Sequence, residues 1–340
     1  MEFPPPHTAD VEAGSTVTNA ATIGNFHPDI VRSHILTRLD GPTLASTSCA
    51  SRDLHSLSSD SSLWTNVCHS TWPSTNTPRL HHVISQFSPD GPRSFFSRAH
   101  FTARENSHQS SQISPPSELI SAVDLRYGNT LILSKFHTQE TLSNWFNCSP
   151  FRVDLLNPKD VVTTQIPHST CQNLEEKLTL SWILIDPIGR RAMNVSSHKP
   201  VSVKRHWLSG EIQIRFATVL SGERNKSSPC ELVQCGVVIT CGGAQEGERL
   251  QVKEVSLQVE NLDGTHLSGM DSLVILERAM EGRMGNEGKM REIGKRYEEF
   301  LEMKRERRER MLRREGRLDM LCVALGVTIM TVFCFFIFLR

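Results

Sequence analysis

Apolar side chains in the first structured stretch fall at Phe26, Ile30, Val31, Ile35, Leu36 and Leu39. This three-and-four spacing marks one helix face, with Pro28 at its first turn. Gly41-Pro42 is expected to stop that helix. A second helical stretch over residues 43–57 carries Leu44, Ala45, Cys49, Leu54 and Leu57. After a polar turn at residues 58–62, a third begins with Leu63, Trp64 and Val67. Three short helices in roughly 45 residues cannot bury a full core, so a partner or an adjoining domain is expected to cover the remainder. Helical fragments follow around residues 80–87 and 93–101. Residues 104–117, polar and rich in Ser, Gln and Pro, read as a linker.

From Glu118 the period changes from helical to alternating. Residues 119–127, 130–136, 178–185, 211–219, 231–241 and 252–259 are short and rich in β-branched side chains. Turn signals stand between them at Gly128-Asn129, Pro187 to Gly189, Ser209-Gly210, Gly242-Gly243 and Asp263-Gly264. Ile212, Ile214 and Phe216 alternate with Glu211, Gln213 and Arg215, as in a half-buried strand. Six such strands predict an antiparallel, sandwich-like domain, closed by a helix over residues 272–282. The fold class is therefore α+β. Trp145, Trp182 and Trp207 are expected to pack in the core or under loops, with a ligand-facing role as the alternative. Arg190-Arg191 and Lys204-Arg205-His206 are expected in solvated turns, with a basic edge for an acidic segment of a partner as the alternative.

The last apolar run, residues 320–339, has no charge and no proline. At about 1.5 Å per residue it reaches about 30 Å, the hydrocarbon thickness of a bilayer. Lys304, Arg305, Arg307, Arg308, Arg310, Arg313, Arg314 and Arg317 precede it, against Arg340 beyond. This bias predicts a cytosolic N-terminal side. The N-terminus lacks a basic segment followed by an apolar core and reads as a disordered lead-in, not a signal peptide. A single-pass, tail-anchored protein of the endoplasmic reticulum or another endomembrane is expected. Sequons at Asn147, Asn194 and Asn225 should then carry no glycan. Residues 289–317 form a charged stalk helix with a short apolar stripe at Ile293, Tyr297, Phe300 and Leu301. The expected layout is 1–22 disordered, 23–70 helical box, 71–103 helical extension, 104–117 linker, 118–283 β-rich domain, 289–317 stalk and 318–339 anchor.

Composition narrows the chemistry. Lys plus Arg and Asp plus Glu are both 37, so no global charge draws nucleic acid. The nine Cys are scattered without CxxC pairs, which argues for reduced thiols rather than disulfides or zinc ligation. Cys235 and Cys241 flank Val237, Val238 and Ile239 and are expected to be core thiols. His81-His82 lacks partners at metal-ligand spacing, and no phosphate-binding loop, HExxH or GxSxG occurs. No catalytic residue, metal or cofactor is expected.

The helical box resembles an F-box. The matching residues are Pro28, Asp29 and Ile30, then Ile35, Leu36 and Leu39, then Leu44, then Leu63 and Trp64. His27 stands where the family has Leu, and Leu54 stands near the place of its mid-box Trp. The resemblance implies an adaptor without catalytic residues, which docks a Skp-family protein through Pro28, Ile30, Ile35, Leu36, Leu39, Leu44, Leu63 and Trp64. Through Skp it would reach the cullin and RING protein of an SCF-type ubiquitin ligase. The β-rich domain would then hold an unknown protein target. Over its whole length the chain is similar to a small group of plant F-box proteins with a C-terminal membrane helix, the cytokinin-induced F-box group. The phrases that carry this are residues 27–29, 70–73, 182–187, 205–210 and 215–220. Residues 255–276 bear a weaker likeness to phloem-protein-2 lectin-type domains. Two alternatives stay open: a membrane scaffold that ubiquitinates nothing, and a lectin-like or lipid-binding module.

Overall fold

The computed structural model describes residues 26–100, 116–167, 171–222, 232–242, 249–281 and 290–340. The expected lead-in at 1–22 and all but the last two residues of the expected linker lie outside these. The chain divides into two compact units, Met1–Leu63 and Trp64–Arg340.

In the first unit, α1 (Pro28–Ile30) runs into a π-helical turn, Val31–Ile35, and a 3-10 turn, Leu36–Arg38. Two further helices follow, α2 (Gly41–Thr47) and α3 (Arg52–Ser58), and then the start of α4 (Ser61–Thr71). The expected single helix over residues 43–57 is thus two helices, and Gly41-Pro42 opens α2 instead of stopping the one before. Local capping explains both corrections. Leu39 is already extended, and Asp40 accepts from Thr43 N at 3.0 Å, which makes Gly41 and Pro42 the first turn of α2. Ser51 is extended too, and its hydroxyl accepts from Leu54 N at 3.2 Å to begin α3.

The second unit continues through α4, a 3-10 turn at Pro73–Thr75, α5 (Pro78–Ser85) and α6 (Pro92–His100). Then come β1 (Glu118–Tyr127), β2 (Thr130–Glu140), α7 (Asn144–Cys148), β3 (Arg152–Asp154), β4 (Val162–Pro167) and α8 (Cys171–Lys177). They are followed by β5 (Leu178–Asp186), β6 (Arg191–Asn194), β7 (Ser202–Arg205), β8 (Ile212–Ser221), β9 (Leu232–Gly242), β10 (Arg249–Asn261) and α9 (Gly269–Glu281). One sheet runs β2-β1-β5-β6 and the other β3-β10-β9-β8-β7, with β4 also paired to β10. All pairings are antiparallel.

The two sheets share one core. Leu119, Val123 and Leu125 of β1 and Leu180, Trp182 and Leu184 of β5 meet Ile212, Ile214 and Phe216 of β8 and Val237 and Ile239 of β9 there, with Leu273 and Leu276 of α9. Side chains of the opposite parity on the first sheet, Ile120, Ala122, Ile183, Ile185 and Ala192, are buried as well. On that side α6 packs on β6, and the Pro73–Thr75 turn packs on β1 and β2. The first sheet is therefore the middle of three layers, which is why β1 is buried on both faces along most of its length. The architecture is α+β, with antiparallel sheets.

Two buried polar groups tie the layers together. Asp124 accepts from Ser74 N at 2.9 Å and Ser74 Oγ at 2.6 Å, across the helix–sheet boundary, and from Ser134 Oγ at 2.7 Å. Arg191 pairs with Asp186 at 2.6 Å, Glu277 at 3.5 Å and Glu281 at 3.3 Å, joining the β5–β6 hairpin to α9. The expected solvated turn at Arg191 is thus corrected: the guanidinium is buried because three carboxylates surround it. Gly189 leaves room for this pair, since a Cβ there would stand 2.2 Å from Asp186 Oδ2 and 2.6 Å from Arg191 Nε. Burial pushes the Cys235 and Cys241 thiols up to about 12, as inert core thiols require.

A single helix, α10 (Met290–Phe338), contains both the stalk and the apolar run. It lies against β8, buries Phe300, and is pinned by Lys304 to Glu260 at 3.0 Å and Arg307 to Asp263 at 2.6 Å. It is long and apolar enough to cross a membrane, and its apolar window is unburied.

Candidate functional site

The first unit is built by short polar side chains that cap or bond back to the backbone. His27 Nδ1 accepts from Asp29 N at 3.3 Å and so caps α1, a role the Leu usual at this place could not fill. Ser33 Oγ and Thr37 Oγ1 donate to the carbonyls of Asp29 and Ser33, at 2.6 and 2.7 Å. Such bonds loosen a helix, and here they accompany the π turn. Arg32 stands 3.5 Å from Asp60, which accepts from Ser62 N at 2.9 Å. The Ser62 amide, more than Arg32, holds the Asp60 carboxyl below its ordinary range.

These constraints divide the eight expected docking residues. Pro28 and Ile30 are exposed, Ile30 by 47%, and Ile35 and Leu39 are half-buried. Leu36, Leu44, Leu63 and Trp64 are buried. The buried four support the fold from within; the exposed and half-buried four, with Phe26 beside them at 47% exposure, form the accessible apolar set. In the second unit, Trp64 has the Phe96 ring at 5.4 Å and the Arg93 guanidinium 5.8 Å over its face. Trp72 closes the same aromatic cluster against Phe95 and Phe96. Trp64 is therefore fastened to α6.

Elsewhere in the second unit, Trp182 is in the core as expected, whereas Trp145 and Trp207 are not. Trp145 lies on α7 and is 82% exposed; Trp207 lies at the tip of the β7–β8 hairpin and is 87% exposed. The expectation of packing for these two is corrected. Trp207 opens the turn that ends at Ser209-Gly210, and an aromatic inside a turn has no strand face to carry it inward. Among the described residues, no group of three His, Cys, Asp or Glu could hold a metal ion.

A family model for F-box-like domains matches residues 28–70. The chain is 46% identical to the probable F-box protein At2g36090 of Arabidopsis thaliana, over 96% of this chain and 98% of that one. It is 41% identical to the F-box protein At2g27310 of the same plant, over 95% and 98%, and 42% identical to the F-box protein At3g44326, over 92% and 90%. No solved structure matches it. The capped helices of residues 28–70 and full-length similarity to three plant proteins lead to one conclusion: the chain belongs to the plant F-box protein family.

Proposed function

We propose that this chain is a membrane-anchored substrate receptor of an SCF-type ubiquitin ligase. The observation that carries the reading is an F-box and a membrane-length helix on one chain, with that helix clamped to the β-rich domain through Phe300, Lys304 and Arg307. Pro28, Ile30, Ile35 and Leu39 contact the Skp-family adaptor, while Leu36, Leu44, Leu63 and Trp64 hold their helices in shape. Cullin, RING protein and charged E2 assemble on the cytosolic side of an endomembrane, and the β-rich domain presents the target. The chain contributes proximity, a raised effective concentration of target lysines near the E2.

Ile30→Asp tests the docking surface. Ile30 is half exposed, so the substitution leaves the thermal transition of the chain unchanged. Adaptor capture by the membrane-embedded protein drops about 10-fold or more, as for an interface hot spot. Equal capture by the two proteins refutes docking here. Ubiquitin transfer reconstituted on membranes with adaptor, cullin, RING protein and E2 separates a receptor from a scaffold, because a scaffold supports none.

A further inference from the structure

Most margins of the two sheets are short or covered. β3 has three residues, β6 and β7 four each and β4 six. Where β6 stops, loop backbone continues along β5: Val195 N donates to Trp182 O and Leu180 N to His198 O, both at 2.9 Å. Val201 N does the same for β8, donating to Arg215 O at 2.8 Å, and α8 packs on β7. β2 is different. It has eleven residues, none of them proline, and Leu133 alone is buried. Its one strand partner is β1; β4 of the other sheet approaches β2 without pairing to it.

The register identifies which backbone groups of β2 are open. Gly128 N donates to Lys177 O at 2.9 Å, in line with the β1–β5 pairs, so even-numbered residues of β1 bond to β5. Odd-numbered ones bond to β2, as Ser117 O does in accepting from Thr141 N at 3.2 Å. On β2, Leu133, Lys135, His137 and Gln139 therefore turn their N–H and C=O groups to β1. Ser134, Phe136, Thr138 and Glu140 turn theirs outward. Among the described residues no other backbone bonds to these four, and the one group met is Glu140 O, which accepts from Gln139 Nε2 at 3.3 Å. The bulge between Leu125 and Arg126 lies toward the hairpin end and leaves residues 134–140 regular. Phe136 stands within this row, 40% exposed, and the enclosed Thr138 hydroxyl has no partner among the described residues.

A row of N–H and C=O groups at strand spacing is complementary to an extended polypeptide backbone, which a lipid headgroup cannot imitate. A second copy of this chain fits poorly. The antiparallel register that joins all four outward residues would set His137 against His137, with both Lys135 side chains on the same face. A different chain carries no such conflict. We infer that the outer edge of β2 takes up an extended segment of the target protein as a further strand of the β2-β1-β5-β6 sheet. Ser134, Phe136, Thr138 and Glu140 supply the backbone hydrogen bonds, and the Phe136 ring packs on an apolar side chain of the segment. This assignment rests on the receptor reading above.

The test uses the full chain in lipid nanodiscs, with amide exchange resolved to single residues. In the free chain, Phe136, Thr138 and Glu140 should exchange fast and Lys135, His137 and Gln139 slowly. Peptides selected from a displayed random library are then synthesised, and a bound peptide should slow the first three about 10-fold or more. Phe136→Ala should weaken binding about 10-fold. Thr138→Pro removes an outward N–H without touching the ladder to β1, and should weaken it about 10-fold or more, against about twofold for Thr138→Val. Where Thr138→Pro does not fold, the exchange pattern and Phe136→Ala decide. A selection that yields no binding peptide overturns the assignment, as do peptides that leave the three amides fast or bind Thr138→Pro as well as Thr138→Val. Slowing without peptide as chain concentration rises also overturns it, and gives the edge to a second copy. Adaptor capture is measured on the same nanodiscs. Adaptor binding without edge-dependent peptides defeats this inference alone, whereas absent adaptor binding defeats the receptor reading.

Discussion

Asp124 shows what one buried side chain contributes. Burial raises its carboxyl above the ordinary value, and the hydrogen bonds from Ser74 and Ser134 only partly offset this. For an acid raised on folding, the native state binds more protons than the unfolded chain between the two pKa values. Stability from this group therefore falls as pH rises from the ordinary Asp range through the folded value. Asp124→Asn removes the titration, so thermal unfolding across that window should decline less steeply with pH in the variant. Asp124→Ala should cost about 1–3 kcal/mol at any pH, because Ser74 N is left buried without an acceptor. Parallel pH profiles for wild type and Asp124→Asn would remove Asp124 from the account. Neither effect is legible in the sequence, where Asp124 is one of several polar residues in β1. Asn194 is a similar case. Its sequon is visible in the sequence, but its side chain is buried and accepts from Trp182 N and Ser196 N, at 3.3 and 3.0 Å. It is a hydrogen-bonding bracket and cannot report on topology.

At the scale of elements, length decided what could be read. β1, β2, β5, β8, β9 and β10 have nine to thirteen residues each, enough for alternation to show. β3, β6 and β7 have three or four, too few for a period, and pair only because longer neighbours offer them an edge. In the stalk, the expected apolar stripe is partly used: Phe300 is buried, Tyr297 half-buried and Leu301 exposed. The Ile293 side chain lies outside the described residues. Phe300→Ala should cost about 3–5 kcal/mol of this contact. Amide exchange over residues 294–307 should then rise, with β9 and β10 unchanged; unaltered exchange there would mean that the ion pairs alone hold the stalk.

For the whole molecule, the continuity of α10 matters most. About 13 residues separate Arg307 from Met320, about 20 Å of helix, so the β-rich domain is held at a set distance from the apolar span. Alkaline carbonate should leave the full chain in the membrane pellet and release one truncated before residue 318. Release of the full chain would remove the anchor from the account. Among the described sequons, half-exposed Asn147 reads the side of the membrane, and a cytosolic domain predicts no glycan on it. A glycan there would place the domain away from the ligase.

The sequence by itself determined the box, the long strands, the terminal helix and the family, because each depends on local spacing, capping or a continuous run of one character. Only the tertiary structure decided which box residues stay accessible, that Arg191 is buried among carboxylates, and that Trp207 faces solvent. Those properties depend on which surfaces meet, and a side chain's burial is set by neighbours distant in the chain.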